Sequence, residues 1–305
     1  MQGVLRPAEA AGPLLSAKAS DPNMPRSATF PCLFVRPTKP RLRANAAVAA
    51  LLLLSPLAQA QPQPPEPAQG LSGRIGLMLA TTPTHEGSPN RRTIVAPDLA
   101  LTYRSREWGT VEFGQRGLSW TAVESGRFRL VLVAQFDAGR KTKDPAALDP
   151  TPGDKRLAGL GPVSSSTEAG IGLGVGPVMV VARQSLGDRG AKGAQVDMTL
   201  ELPWALSDRL SLRAALVATW ADRDVMQTHF GVTAVQARAT PFPAYSPKSG
   251  CRKVEASLGA EFVLAPRWSL QGTLSVTQLG EGAAASPLVA RRSATSAAVG
   301  VAYAF

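Results

Sequence analysis

From residue 71 to the end of the chain, apolar and polar side chains alternate in runs with a period of two, the period of a β-strand. Val196, Met198, Leu200 and Leu202 share a face, against Gln195, Asp197, Thr199 and Glu201. Leu210, Leu212, Leu216 and Trp220 oppose Ser211, Arg213 and Thr219, and Phe128, Leu130, Leu132 and Phe136 oppose Arg129, Gln135 and Asp137. Val254, Leu258 and Phe262 oppose Glu255 and Glu261, while Trp268, Leu270, Leu274 and Val276 oppose Gln271, Thr273 and Thr277. The last run, 293–305, sets Thr295, Ala297, Val299, Val301, Tyr303 and Phe305 against Ser296, Ala298, Gly300, Ala302 and Ala304. One side of that run ends in two aromatic rings, and the other has nothing large enough to build a soluble core.

The pattern predicts strands at 71–80, 93–104, 108–114, 117–124, 127–139, 165–175, 177–187, 192–204, 208–220, 251–264, 267–279 and 293–305. Most are ten to thirteen residues long, the length a tilted strand needs to cross a bilayer and about twice that of a typical sandwich strand. Connections alternate between short turns and long loops at 84–92, 140–164, 221–250 and 280–292. With a periplasmic N-terminus every long loop falls outside, which is the outer-membrane arrangement. Aromatics gather at strand ends. Tyr103, Phe128, Trp204, Phe262, Trp268, Tyr303 and Phe305 are expected near the periplasmic interface, and Phe113, Trp120, Phe136 and Trp220 near the outer one. The expected fold is all-β: a transmembrane up-and-down antiparallel barrel of twelve strands over 71–305, closed because an open edge in lipid leaves backbone groups unpaired. Val301, Tyr303 and Phe305 then form the assembly signature of the closing strand.

Upstream, Arg36, Lys39, Arg41 and Arg43 precede an uncharged run with A-V-A-A-L-L-L-L at 47–54, followed by Ala58-Gln59-Ala60. A basic region, a short apolar region and an A-x-A site make a secretory signal peptide over 1–60, too short in its apolar part to span a bilayer. Met24 offers a second start, which would leave 1–23 untranslated. The proline-rich stretch 61–70 reads as an extended mature tail. Charge changes meaning once this leader is set aside. The chain carries +11, of which residues 1–60 hold +5 and the rest +6, so basicity gives no reason to expect a nucleic-acid partner. Outer-membrane lipid and lipopolysaccharide are the expected surroundings.

Candidate chemistry is sparse. G-I-G-L-G-V-G at 170–176 alternates like a strand and opens no helix, so it is no phosphate loop. No nucleophile set, metal-ligand spacing or cofactor motif is present, and two cysteines, Cys32 and Cys251, build no disulfide framework. The expectation is a non-enzyme without cofactor. The predicted lumen side is richer: Asp98, Arg129, Asp137, Glu168, Arg183, Asp197, Glu201, Arg213, Glu255 and Glu261 all point inward, with Arg104, Glu112 and Lys253. Mixed signs in a narrow barrel point to a structural ion-pair network ahead of a selective pore.

Trp220 to Val232, W-A-D-R-D-V-M-Q-T-H-F-G-V, resembles the W-A-[DN]-x-x-Y-M-x-x-Y-F-G-V run of the MipA/OmpV family, the MltA-interacting proteins. Its matching positions are Trp220, Ala221, Asp222, Met226, Phe230, Gly231 and Val232. T-P-T-H-E-G-S at 82–88 and L-G-E-G-A-A-A-S-P-L-V at 279–289 resemble two further segments of that family. Val225, His229 and His85 stand where the family has tyrosine, so this chain lacks a phenol at those three positions. The resemblance implies an outer-membrane barrel that serves as a scaffold, linking a lytic transglycosylase to a bifunctional murein synthase. Small-solute channel and surface adhesin, the latter through loops 140–164 and 221–250, are the alternatives.

Overall fold

The computed structural model describes residues 69–143, 151–187 and 190–305; the leader and most of the proline-rich tail lie outside the described residues. Twelve strands form one closed barrel in which each pairs antiparallel with its sequence neighbours. They are β1 (Gly70–Pro83), β2 (Arg91–Ser105), β3 (Gly109–Gly114), β4 (Gly117–Ser125), β5 (Phe128–Asp137) and β6 (Ser166–Val175), then β7 (Val178–Leu186), β8 (Ala194–Ala205), β9 (Leu210–Ala221), β10 (Gly250–Ala265), β11 (Trp268–Leu279) and β12 (Ser293–Ala304). β12 closes on β1 from Arg74↔Ala304 to Thr81↔Ala297. Phe305 extends the seam: it exchanges backbone hydrogen bonds with Gly73 at 3.0 and 2.9 Å. The absent side chain at Gly73 leaves room for the Phe305 ring, whose Cζ would lie 2.9 Å from a Cβ there.

The alternation decides which way each side chain points. Leu77, Phe128, Phe136, Leu173 and Leu274 are more than half exposed on the outer wall. Such a belt is untenable in water and suits hydrocarbon. On β6 the outward Ile171, Leu173 and Val175 alternate with inward glycines. A Cβ on Gly170 would come within 2.8 Å of Arg183 Cγ, so the glycine face makes room for lumen arginines. Among the described residues no helix is long and apolar enough to cross a membrane; the crossing is made by strands.

Two features depart from the sequence reading. The long loops carry short helices: α1 (Arg223–Phe230), α2 (Ala234–Ala239) and α3 (Glu281–Ala284). Asp222 caps α1, its Oδ1 accepting from the N–H of Asp224 and Val225, and a Thr233/Gln236 capping box starts α2. Trp120 is also not at the outer interface. Its Nε1 donates to the Trp108 carbonyl at 2.6 Å, and Trp108 lies in the periplasmic β2–β3 turn. With only six residues in β3, the whole β3–β4 hairpin sits low in the wall.

Candidate functional site

The outer loops form a cap with its own packing. Ala221, Val225, Met226 and Phe230 pack with Leu279 and Ala283, and Leu157, Leu160, Val232 and Leu288 form a second cluster. Most of the motif residues singled out in the sequence are therefore part of this cap. Asp222 caps α1 and ties it to β8 by accepting from the Ala194 N–H at 2.6 Å. Met226 and Phe230 fill the first cluster, Val232 bridges to Tyr245, and Trp220 is the next-to-last residue of β9. A side chain on Gly231 would collide with Gln227. Val225, standing where a tyrosine was expected, is fully buried.

Beneath the cap the loop between β1 and β2 folds inward. Glu86 Oε2 accepts from Arg252 Nε and Nη2 at 3.0 and 2.9 Å, and its Oε1 lies 2.9 Å from Lys253 Nζ. Two consecutive residues of β10 reach one carboxylate because the β9–β10 register shifts between Cys251 and Lys253, a bulge that turns Arg252 inward against the simple alternation. From Arg252 the polar chain continues across the lumen: Nη1 donates to Gln195 Oε1 at 2.7 Å, Gln195 Nε2 to Glu168 Oε1 at 2.9 Å, and Arg183 bonds Glu168 and Asp197, each at 2.6 Å. Thr219 Oγ1 completes it on Asp197 at 2.7 Å.

The remaining predicted lumen residues take other partners. Asp98 pairs with Arg74 at 3.0 Å, and Glu201 with Arg213 at 3.2 Å in a well-solvated position. Arg129 bonds the Gly176 carbonyl, Glu255 accepts from Thr277, and Glu261 accepts from Gln271 at 3.4 Å. Asp137 accepts from the Gly139 N–H, with His229 Nε2 3.5 Å away. The sequence reading missed Arg74, Glu86 and Arg252, and put Gln195 on the polar face of its strand without giving it a role in the network. For Arg74 the signal was available, since it sits one residue from the outward Ile75; for Glu86 and Arg252 it was not.

Burial and charge set the protonation of the cap. Burial pushes His85 down from 6.5 to about 4, and Arg140 pushes the same way against Asp154. Burial would raise Glu86, but Arg252 and Lys253 hold it well below the usual carboxylate range. Asp154 is likewise held low, against its burial, by the Arg156 N–H and by Thr84, Ser88 and Asn90. His229 is lowered by burial and then by Arg252.

Two cavities meet at the Glu86 cluster. The larger, about 1060 Å³, starts among the periplasmic turn residues Gly126, Arg127, Gly176 and Pro177 and rises to Asp137 and Arg252. A smaller one of about 270 Å³ lies above, between Glu86, Arg140, His229 and Arg292. Asp137, Arg252, Lys253 and Glu255 line both, so the Glu86 cluster is the partition between them. Among the described residues no group of His, Cys, Asp or Glu is arranged to hold a metal.

A closed twelve-stranded barrel with an apolar outer wall, short turns at one end and a loop-built cap at the other is an outer-membrane β-barrel protein. The chain belongs to the family described as MltA-interacting protein MipA, which matches residues 75–305. No match was found among curated proteins. Among solved structures the fold is similar to the COG4313 outer membrane channel from Pseudomonas putida F1, at 13% identity and TM-score 0.43 over 80% of this chain and 100% of that one. It is also similar to the translocator domain of autotransporter NalP from Neisseria meningitidis (12% identity, TM-score 0.32, 78% of this chain and 90% of that one). A third is OmpT of Vibrio cholerae, with 10% identity and TM-score 0.30 over 77% and 97%.

Proposed function

We propose that this barrel is a non-conducting scaffold whose working face is periplasmic, holding a lytic transglycosylase of the MltA type at the outer membrane, with or without a bifunctional murein synthase. The observation that carries this reading is the asymmetry of the lumen. The 1060 Å³ vestibule is lined by periplasmic turn residues, while two packed loop clusters and the Glu86 partition lie toward the outer end. Packed loops across the outer end oppose free diffusion of solutes through the barrel. A periplasmic dock has a use for them, because the cap lies across the outer end while the inner rim stays free. Export with removal of residues 1–60, giving a mature chain that starts at Gln61 among outer-membrane lipid and lipopolysaccharide, belongs to the same proposal.

The test is association of the purified barrel, folded in lipid vesicles, with a purified lytic transglycosylase, run beside a planar-bilayer recording. Binding without steady unitary currents is the expected result. Steady currents without binding would replace the scaffold by a small-solute channel, the second reading. One observation favours that alternative: the two cavities share four lining residues, so moving one loop would join them.

A further inference from the structure

The seam that closes the barrel stops short of the outer rim. β12 pairs with β1 only as far as Thr81↔Ala297, whereas β1 stays paired with β2 to Pro83↔Arg91 and β12 with β11 to Gln278↔Ser293. The two closing strands therefore part over their outermost residues and leave a notch in the wall, a cavity of about 240 Å³. Pro83 stands at the parting and has no N–H with which to continue the ladder. Loop contacts roof the notch, since the N–H groups of Ala290 and Arg291 both donate to the Gly87 carbonyl, at 2.9 and 3.1 Å.

Two arginines line this cavity. Arg91 reaches from β2 across β1: its Nη1 donates to the Thr295 carbonyl at 2.7 Å and its Nη2 to the Thr81 carbonyl at 3.3 Å. Those bonds tie the guanidinium to the outer wall and leave Nε without a described partner. The Arg291 side chain pairs with no described residue. In the lumen Arg74, Arg183, Arg213 and Arg252 each meet a carboxylate; among the described residues no carboxylate lines the notch. Residues 144–150 leave from the other side of the strand. Arg92, on the opposite face of β2, lines the inner cavity and donates to the Thr151 carbonyl, and neither Lys143 nor Thr151 lines the notch.

The outer wall changes character at this level. Leu79, Leu274 and Val299 are exposed below the notch and Val276 lines it, while Thr81, Gln278 and Thr295 hold the outward positions beside and above. The apolar band thus ends at the two arginines, at the depth where lipid head groups begin.

We infer that the notch binds a phosphorylated amphiphile of the outer leaflet, its phosphate held between Arg91 and Arg291 and its acyl part lying on Val276, Leu274 and Leu79. Guanidinium groups suit a phosphate, whose oxygens accept several charge-assisted hydrogen bonds. With no carboxylate in the notch, the balancing charge is left to the ligand. The cavity opens at the edge of hydrocarbon, which favours an anion that carries a chain over one free in water. The site depends on the orientation of the barrel and not on the periplasmic scaffold.

Native mass spectrometry of the full mature chain, folded in detergent and titrated with diphosphoryl lipid A, tests the inference. Wild type is expected to retain a single molecule, and inorganic phosphate in excess should not displace it. Arg291→Gln should weaken retention about tenfold, the loss of one charge-assisted hydrogen bond, and Arg91→Gln at least as much. Arg291→Gln removes no side-chain bond of the described fold, so it keeps the test sound if Arg91→Gln fails to assemble. Arg238→Gln, the same loss of charge at an exposed position on α2, should change nothing, and lipid A stripped of its phosphates should bind as weakly as the variants. Equal retention of the stripped lipid would overturn the inference, as would indifference to Arg291 or an equal loss from Arg238→Gln. Displacement by inorganic phosphate would also overturn it, since the site would then serve the free anion.

Discussion

Glu86 holds the β1–β2 loop against Arg252 and Lys253 between the two cavities, and Glu86→Gln removes its charge while keeping its shape. In the folded protein Glu86 faces Arg252 and Lys253, whose side chains are 11% and 28% exposed. Arg252 would keep its bond to Gln195 but lose the carboxylate it pairs with. Removing one member of a buried pair costs about 3–5 kcal/mol, and the 27% exposure of Glu86 places this case near the lower end. About 3 kcal/mol shifts the equilibrium between tucked and released loop roughly 100-fold. The barrel itself should survive, because the change lies outside every strand. In a planar bilayer the wild type should stay closed and Glu86→Gln should show intermittent openings. Externally added protease should cut the variant within 84–90 and spare the wild type. If the variant is as silent and as protected as the wild type, Glu86 is not the element that seals the lumen.

Acid should loosen the same cap. His85 has a folded pKa of about 4 against 6.5, so the unfolded loop binds the proton first; its contribution is complete above pH 6.5 and falls away as pH drops toward 4, by about 3 kcal/mol at most. His229 acts in the same direction, whereas Glu86 and Asp154, both held low, weaken only in stronger acid. Hydrogen exchange in the 84–90 loop at pH 7 and pH 4.5 reads the effect, and His85→Gln should flatten it. In β8, Leu200→Arg should cost roughly 2–4 kcal/mol of folding in lipid vesicles and Thr199→Arg much less, because Thr199 lines the vestibule with Asp197 and Glu201; equal losses would mean the facing is wrong. Phe305→Asp should impair insertion, since it places a charge where the ring rests over Gly73, and a normal yield of heat-modifiable protein would contradict that role.

Much of this architecture is written in the alternation, for a physical reason. Lipid accepts only apolar groups and the lumen accepts polar ones, so Leu200 and Glu201 cannot exchange places without cost, and every long strand declares its faces. Depth is not written the same way. Alternation in 117–124 is the same wherever the hairpin sits, so Trp120 was expected at the outer interface and lies instead against Trp108. Bulges are also silent: Arg252 reads as outward until the extra residue in β10 turns it in. The Glu86–Arg252 contact was least legible, because the two residues are 166 apart and no local signal pairs them. The W-A-D run was visible as a motif, but its physical role in building the cap came only from the packing of Met226 and Phe230.

The central claim is that the lumen opens to the periplasm and is closed to the outside. Thr199→Cys in a Cys251→Ser background places one thiol on the vestibule wall, where a bulky membrane-impermeant maleimide can report access from either side. The account predicts labelling when the reagent is admitted to the periplasmic side and none when it is applied to intact cells. Labelling from outside at a comparable rate would contradict it.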